Sequence, residues 1–492
     1  MTERNLRHPL FLAGLGALGI VLVAVGLIGR SSEGERRASL ERPLRTGVFD
    51  PVTFLGGDPL AFSRVRAAGS SFARIIVPWR NVAPRIEPRR WNPGSPADPQ
   101  YSWEFVDQMV QGAARAGLKP VLVLMDTPRW ASVRTTCTRG KVCAPDPRDY
   151  ARFARAASLR YNGRFSGLPR VRHWQAVNEP NLKLFLFPQR DAGRFVSPEL
   201  YRRTLNALSG AVKRVASDNL VIGGSLTPFF DPGHSMAPLA FMRQMLCMTG
   251  RRDPRPLDSC AARSRFDIWA TNPYTQGPAT IETPGIDDVS ISDLPRMRRL
   301  LRAAERAGRI DTELRSVPFW ATEFSWDTHP PDPNGVPWRL HSRWTAEALY
   351  QMWRVGLSTV IWFQLRDEAP SALPDSETFQ SGLYLRGSSI AADRPKRSLR
   401  AFRFPFVAYR RPTGIYVWGR TPDSKAAAVS VQLRGETGWT KLATLRANRF
   451  GIFAGLIRTS RRSGPVRAGV DEMSSLPFDL ERPPLIPRPV FG

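Results

Sequence analysis

The sequence predicts an α/β protein: a (β/α)8 TIM barrel, a small C-terminal β-sandwich after it, and an N-terminal transmembrane helix before it. Three observations lead there. Eight short β-branched or apolar runs alternate with stretches of helical spacing between about residues 45 and 411. Past Arg411 the helical spacing disappears and short alternating strands follow one another. Ahead of it all, residues 10–29 hold no charge over 20 positions.

The first element is "LFLAGLGALGIVLVAVGLIG", Leu10 to Gly29, long enough to cross a bilayer as a helix. Arg4 and Arg7 precede it, which favours a cytoplasmic N-terminus. A cleaved signal peptide is the alternative, but Arg30 follows directly and no small-x-small site is evident. Residues 1–30 are therefore read as an anchor or signal and 31–44 as a linker, with the body exported to the extracellular side.

The barrel strands are expected in "TGVFD", "FARIIVPW", "PVLVLMD", "VRHWQAVNE", "NLVIGGSL", "FDIWATNPY", "VPFWATEF" and "STVIWFQL". No glycine-rich phosphate loop follows the first, which argues against a doubly wound open sheet. Between them, Phe105, Val106, Met109, Val110 and Ala113 recur at helix period, as do Tyr201, Leu205, Leu208, Val212 and Val215. Ser197-Pro198-Glu199 reads as a helix start. The β-sandwich domain is assigned to residues 412–492, with its strands between about 412 and 460 and a proline-rich tail after them.

Composition narrows the class. A 42% hydrophobic content allows a large core. The net charge of +28 comes from arginines scattered along the chain, without the local basic run or aromatic signature of a nucleic-acid binder. An anionic polymer or envelope surface is the better partner for it. Four cysteines fall in two local pairs, Cys137 with Cys143 and Cys247 with Cys260, as expected of disulfides in an oxidising compartment. Zinc is the competitor, disfavoured by the spacing and by only five histidines.

Strand ends carry the chemistry. In a barrel all C-terminal strand ends share one face, so Arg74, Asp126, Asn178, Glu179, Asn272, Tyr274, Glu323 and Trp362 are expected to converge there. Glu179 closes the fourth strand and Glu323 the seventh, across the axis from each other. Cleaving a glycosidic bond with retention needs two such carboxyls about 5–5.5 Å apart, one as acid/base and one as nucleophile. Burial and a second carboxylate would keep Glu179 protonated, while Arg74 and Tyr274 would serve Glu323. Trp130 is a candidate sugar platform, or else a rim core residue. Asp126, Asp231 and Asp367 are candidate substrate contacts. No metal or organic cofactor is needed for this chemistry.

On "RIIVPW", "VNEPN", "TNPY", "WATEFSW" and "VIWFQLRD" the chain resembles the retaining glycoside hydrolases of clan A, with a family 39 or family 5 flavour over roughly residues 45–405. The resemblance implies Arg74 and Tyr274 as partners of the nucleophile Glu323, and Asn178 beside the acid/base Glu179. It implies Trp362 as the floor of the sugar site. Two positions depart from the pattern: Val177 where tryptophan is common, and Asn272 where histidine is common. The expected activity is that of a β-glycosidase on a poly- or oligosaccharide. Its rivals are a transglycosidase with the same residues, a non-catalytic carbohydrate-binding envelope protein, and a polyanion binder.

Overall fold

The computed structural model describes residues 41–133, 141–370 and 373–481. The expected anchor Leu10–Gly29 and Cys137 lie outside the described residues. Among the described residues no helix is long and apolar enough to cross a membrane.

Eight parallel strands close into a barrel in chain order. They are β1 (Arg45–Phe49), β2 (Phe72–Pro78), β3 (Lys119–Met125), β4 (His173–Ala176), β5 (Leu220–Leu226), β6 (Ile268–Thr271), β7 (Phe319–Ala321) and β8 (Leu357–Phe363). Closure is made by β8 against β1, from Thr359 opposite Arg45 to Phe363 opposite Phe49. Each strand is followed by a helix: α1 (Pro59–Ala67), α2 (Glu104–Arg115), α3 (Pro147–Arg160), α4 (Ser197–Val215), α5 (Pro238–Met245), α6 (Leu294–Arg306), α7 (Trp338–Val355) and α8 (Arg397–Arg403). All eight expected strands are present.

The helices bury the faces their spacing dictates. On α4, Tyr201, Leu205, Leu208 and Val212 are buried, and on α2 so are Val106, Met109, Val110 and Ala113. Starts are set by short acidic side chains: Asp58 accepts from Leu60 N at 2.7 Å and Asp146 from Arg148 N at 2.8 Å. At the end of α7, Gly356 turns the chain with φ 100°, where an added Cβ would strike the Arg298 and Arg42 guanidiniums.

The barrel interior is layered. At the N-terminal end the Phe72 ring lies 5.2 Å from both His173 and Trp320, over an apolar layer with Val121, Ile222 and Ile268. This packed plug leaves the opposite end for polar groups.

The C-terminal domain begins earlier than expected. Its strands are β9 (Phe406–Arg411), β10 (Gly414–Arg420), β11 (Ala428–Gly435), β12 (Gly438–Arg446), β13 (Ile452–Arg458) and β14 (Pro465–Val470). The boundary expected at Pro412 falls inside a hairpin, because β9 pairs with β10 from Phe406–Gly419 to Arg411–Gly414 and Pro412-Thr413 is only its turn. One sheet is β9-β10-β13; the other is β12-β11-β14, extended by short strands that end at Asp479, well past residue 460. The domain docks on α7, where the Trp418 ring lies 5.4 Å from both Tyr350 and Trp353. Buried Arg420 ties it to the barrel by donating to Leu44 O at 2.9 Å and Phe402 O at 3.1 Å. Cys247 and Cys260 form a disulfide with a Cα–Cα distance of 5.4 Å.

Candidate active site

The site starts from the end of β4. Along "HWQA" the period of two sends Gln175 inward and Trp174 and Ala176 towards the helices. The chain then turns sharply, with Val177 at φ 51° and Glu179 at φ 41°. Left-handed backbone at a β-branched residue is strained. Three contacts hold it: Gln175 Nε2 donates to Val177 O at 2.9 Å, Val177 N to Leu124 O at 3.1 Å, and Glu179 N to Ser225 O at 3.1 Å. Asn181 pins the far side, accepting from Thr227 N at 3.0 Å and donating to Met236 O at 2.8 Å. "NEPN" is thus a backbone device that turns Asn178 and Glu179 to the top of the barrel.

There the two glutamates share one hydrogen-bonded network. Arg74 is fully buried, and its guanidinium reaches three ways: Nη1 to Glu323 Oε1 at 2.5 Å, Nη2 to Asn178 Oδ1 at 2.8 Å, and Nε to Gln175 Oε1 at 3.0 Å. The Phe49 ring lies 4.5 Å from its Cζ. Tyr274 donates its hydroxyl to Glu323 Oε2 at 2.9 Å, so each oxygen of Glu323 has a donor. Asn272 Nδ2 donates to Glu179 Oε1 at 3.0 Å, and its Oδ1 accepts from Thr322 at 2.8 Å. Thr322 is in turn 2.7 Å from the Ser225 hydroxyl.

The two carboxyls differ in setting. Burial, and then the charge of Glu323, push Glu179 up to about 8, against smaller opposing effects from Asn272 and Arg74. At neutral pH Glu179 therefore holds a proton. Burial and the two glutamates also push the Tyr274 phenol well above its ordinary value, which keeps it a donor. Both glutamates are under 10% exposed, at 8% for Glu179 and 6% for Glu323, so a ligand reaching them leaves most of its water behind.

Of the strand-end residues singled out from sequence, Arg74, Asn178, Glu179, Asn272, Tyr274 and Glu323 come together. Trp362 does not. Along β8 the alternation turns Ile361 and Phe363 into the barrel and Trp362 out, with its ring 5.1 Å from Phe324 and its indole donating to Ser381 O at 2.9 Å. It is fully buried and cannot floor a sugar; Phe363, 5.6 Å from the Phe49 ring, has the inward place. Trp130 is half-buried with its rings against Trp79 and Trp91, and its nitrogen donates to Pro84 O at 2.8 Å. Asp367 is no substrate contact: it is buried in an ion pair with Lys396 at 2.5 Å. Asp231 sits on the surface beside His234. Asp126 accepts from Arg80 at 2.9 Å and borders a cavity of about 470 Å³ that also reaches Arg74 and Asn81. Sequence reasoning missed Gln175, Ser225 and Thr322; their signal was a polar residue within or just past an apolar strand, close to its C-terminal end.

No family model matches the chain, and no curated protein matches it. Solved structures do. The chain is similar to a family 39 glycoside hydrolase from the gut symbiont Bacteroides cellulosilyticus WH2, at 16% identity and TM-score 0.54, covering 85% of this chain and 82% of that one. It is also similar to a GH5_18 protein from Streptomyces cattleya solved in complex with GlcNAc, at 16% identity and TM-score 0.46, over 73% and 79% of the two chains. These neighbours are glycoside hydrolases. The family 39 structure has a barrel of the kind that the strand-end motifs imply. At this identity the likeness establishes the fold, and the chemistry rests on the site.

Proposed function

We propose that the protein is a retaining β-glycosidase that cleaves a poly- or oligosaccharide by double displacement. Glu179 gives its proton to the glycosidic oxygen as Glu323 attacks the anomeric carbon; the bond between that carbon and oxygen breaks, the aglycone leaves as an alcohol, and a glycosyl ester on Glu323 results. Glu179, now a carboxylate, takes a proton from water as that water attacks the same carbon, and the sugar leaves with Glu323 free again. Asn178 is oriented by Arg74 beside the acid, where it can bond a sugar 2-hydroxyl.

One observation carries this reading: two buried glutamates in one network, one pushed up to about 8 and the other met by a guanidinium and a phenol. Such a split is what an acid and a nucleophile need. A transglycosidase would use the same groups with a sugar as acceptor. The carbohydrate-binding alternative does not require a proton held on Glu179. Export and anchoring through Leu10–Gly29 belong to the same proposal. They are supported by Arg4 and Arg7 ahead of an uncharged run and by the Cys247–Cys260 disulfide.

The test is covalent trapping with a panel of 2,4-dinitrophenyl 2-deoxy-2-fluoro-β-glycosides, read by intact mass spectrometry. The expected result is a single adduct mapping to Glu323 and absent from Glu323→Gln. An adduct on another residue, or turnover that inverts the anomeric centre, would overturn the mechanism.

A further inference from the structure

A second cavity, of about 770 Å³, lies away from the glutamates, between α7, α8 and the C-terminal domain. That volume is within the roughly 300–1,000 Å³ of ligand sites. Its floor is apolar, with Phe404, Phe406 and Leu476, and its rim is cationic, with Arg339 from α7, Arg397 from α8 and Arg434 from β11. Residues from three separate elements thus bring guanidiniums to one concavity.

Among the described residues these cations lack partners. A fourth arginine of the cleft, Arg343, is committed to Glu347 at 3.2 Å and to Asp479 O at 2.8 Å. Of the two carboxylates at the rim, Asp479 accepts from Glu481 N at 3.1 Å and Glu481 lies 3.9 Å from Arg410. Among the described residues, the side chains of Arg339, Arg397 and Arg434 make no hydrogen bond or ion pair. Burial, and then the nearby charges of Arg339 and Arg400, push Arg397 below its ordinary value, a cost that an incoming anion relieves. The start of α7 adds to the field: this helix of 18 residues has Pro337 as its cap, no side-chain cap bond, and no acid in its first turn.

The shape and chemistry select the ligand. A concave floor between arginines does not meet a flat bilayer. Arginine forks match planar carboxylates in two-point contact, and apolar floor between them suits the CH faces of sugar rings. We propose that this cleft is a non-catalytic binding site for a uronate-bearing polysaccharide, holding the protein on an acidic polymer while the barrel acts. The choice of a glycan rests on the carbohydrate reading above; the anion site does not.

The experiment is affinity electrophoresis of the full chain through gels containing polygalacturonate, with neutral xylan, phosphatidylglycerol vesicles and a single-stranded oligonucleotide as competitors. Arg339→Ser/Arg397→Ser is expected to weaken polygalacturonate binding by at least about tenfold. Arg299→Ser/Arg306→Ser, an equal loss of charge from the exposed side of α6, should stay within about twofold. A thermal melt separates lost binding from lost fold. Equal weakening by both pairs would reduce the effect to net charge and overturn the proposal. So would stronger binding of vesicles, oligonucleotide or xylan than of polygalacturonate. The two readings fail separately: cleft-dependent binding without any turnover sinks the glycosidase alone, and turnover with cleft-independent binding sinks the cleft alone.

Discussion

The two ends of the barrel interior are built from the same strands and do opposite things. On β2, Phe72 packs into the apolar plug while Arg74, two positions on, binds Glu323. On β4, His173 sits in the plug while Gln175 holds the turn that presents Glu179. The ionisable groups follow suit. Burial and surrounding cations push His173 down to about 3, so it stays neutral and inert. Burial and a carboxylate push Glu179 up to about 8, so it carries a proton within the working range. Alternation along a strand decides that these residues share an interior, and distance along the strand decides whether they stabilise or react.

The comparison breaks most visibly at the catalytic end. Glu179→Gln should lower kcat/KM on aryl glycosides with poor leaving groups by roughly 10²–10⁴-fold, and by much less where the leaving group needs no proton. For the wild type, kcat/KM should fall as pH rises through about 8, where Glu179 loses its proton, and the variant should lack that limb. Initial rates across pH with two leaving groups test both statements. A variant that kept the alkaline limb would mean another group is the acid.

The plug should respond in the other currency. Phe72→Ala removes a buried ring and should cost about 3–5 kcal/mol of stability in denaturant melts. The pH dependence of kcat/KM should stay where it was. A moved limb would show that the two ends are coupled.

A subtler contrast lies within β8. Phe363→Ala should raise KM for small glycosides by about tenfold, the loss of one apolar face. Trp362→Phe should lower the melting temperature and leave KM alone, because that ring packs under the helices. The reverse pattern would restore Trp362 as the sugar floor.

The last contrast is in stability against pH. Unfolded, Glu179 releases its proton near 4.5; folded, near 8. The native state therefore binds the extra proton between those values. Its contribution is full below about 4.5 and is lost as pH rises through about 8. Glu179→Gln titrates in neither state, so its melting temperature should gain on the wild type as pH rises across that window. Scanning calorimetry in a buffer series reads the difference, and parallel curves would contradict the raised value.

Much of this was legible before any fold was known. The eight strand runs, the helix faces of α2 and α4, and the pairing of "NEPN" with "ATEFSW" are local signals, each readable within a window of a few residues. Six of the eight strand-end residues expected to converge, Arg74, Asn178, Glu179, Asn272, Tyr274 and Glu323, meet at one end of the barrel because parallel strands must end on the same face. The misses have a different origin. Arg411 looked like a boundary because the alternating strands are evident only after it, but the first of them pairs back with Phe406–Arg411, and Pro412-Thr413 is the hairpin's turn. Lys396, which buries its charge on Asp367, lies 29 residues along the chain, and nothing local announces the pair.

What the sequence by itself determined is the order of elements, their length, and which residues stand at the strand ends, since periodicity and turn chemistry are properties of neighbouring residues. Only the closed structure decided which phase of each strand faces inward. Trp362 and Phe363 are both large and aromatic, and the choice between them turns on the register of β8 against β1 and β7, where the pairing slips by one between Phe319 and Trp320. A slip of one residue exchanges the two faces of a strand. The cleft between α7, α8 and the C-terminal domain has the same cause: its arginines are brought together by packing between elements far apart in the chain.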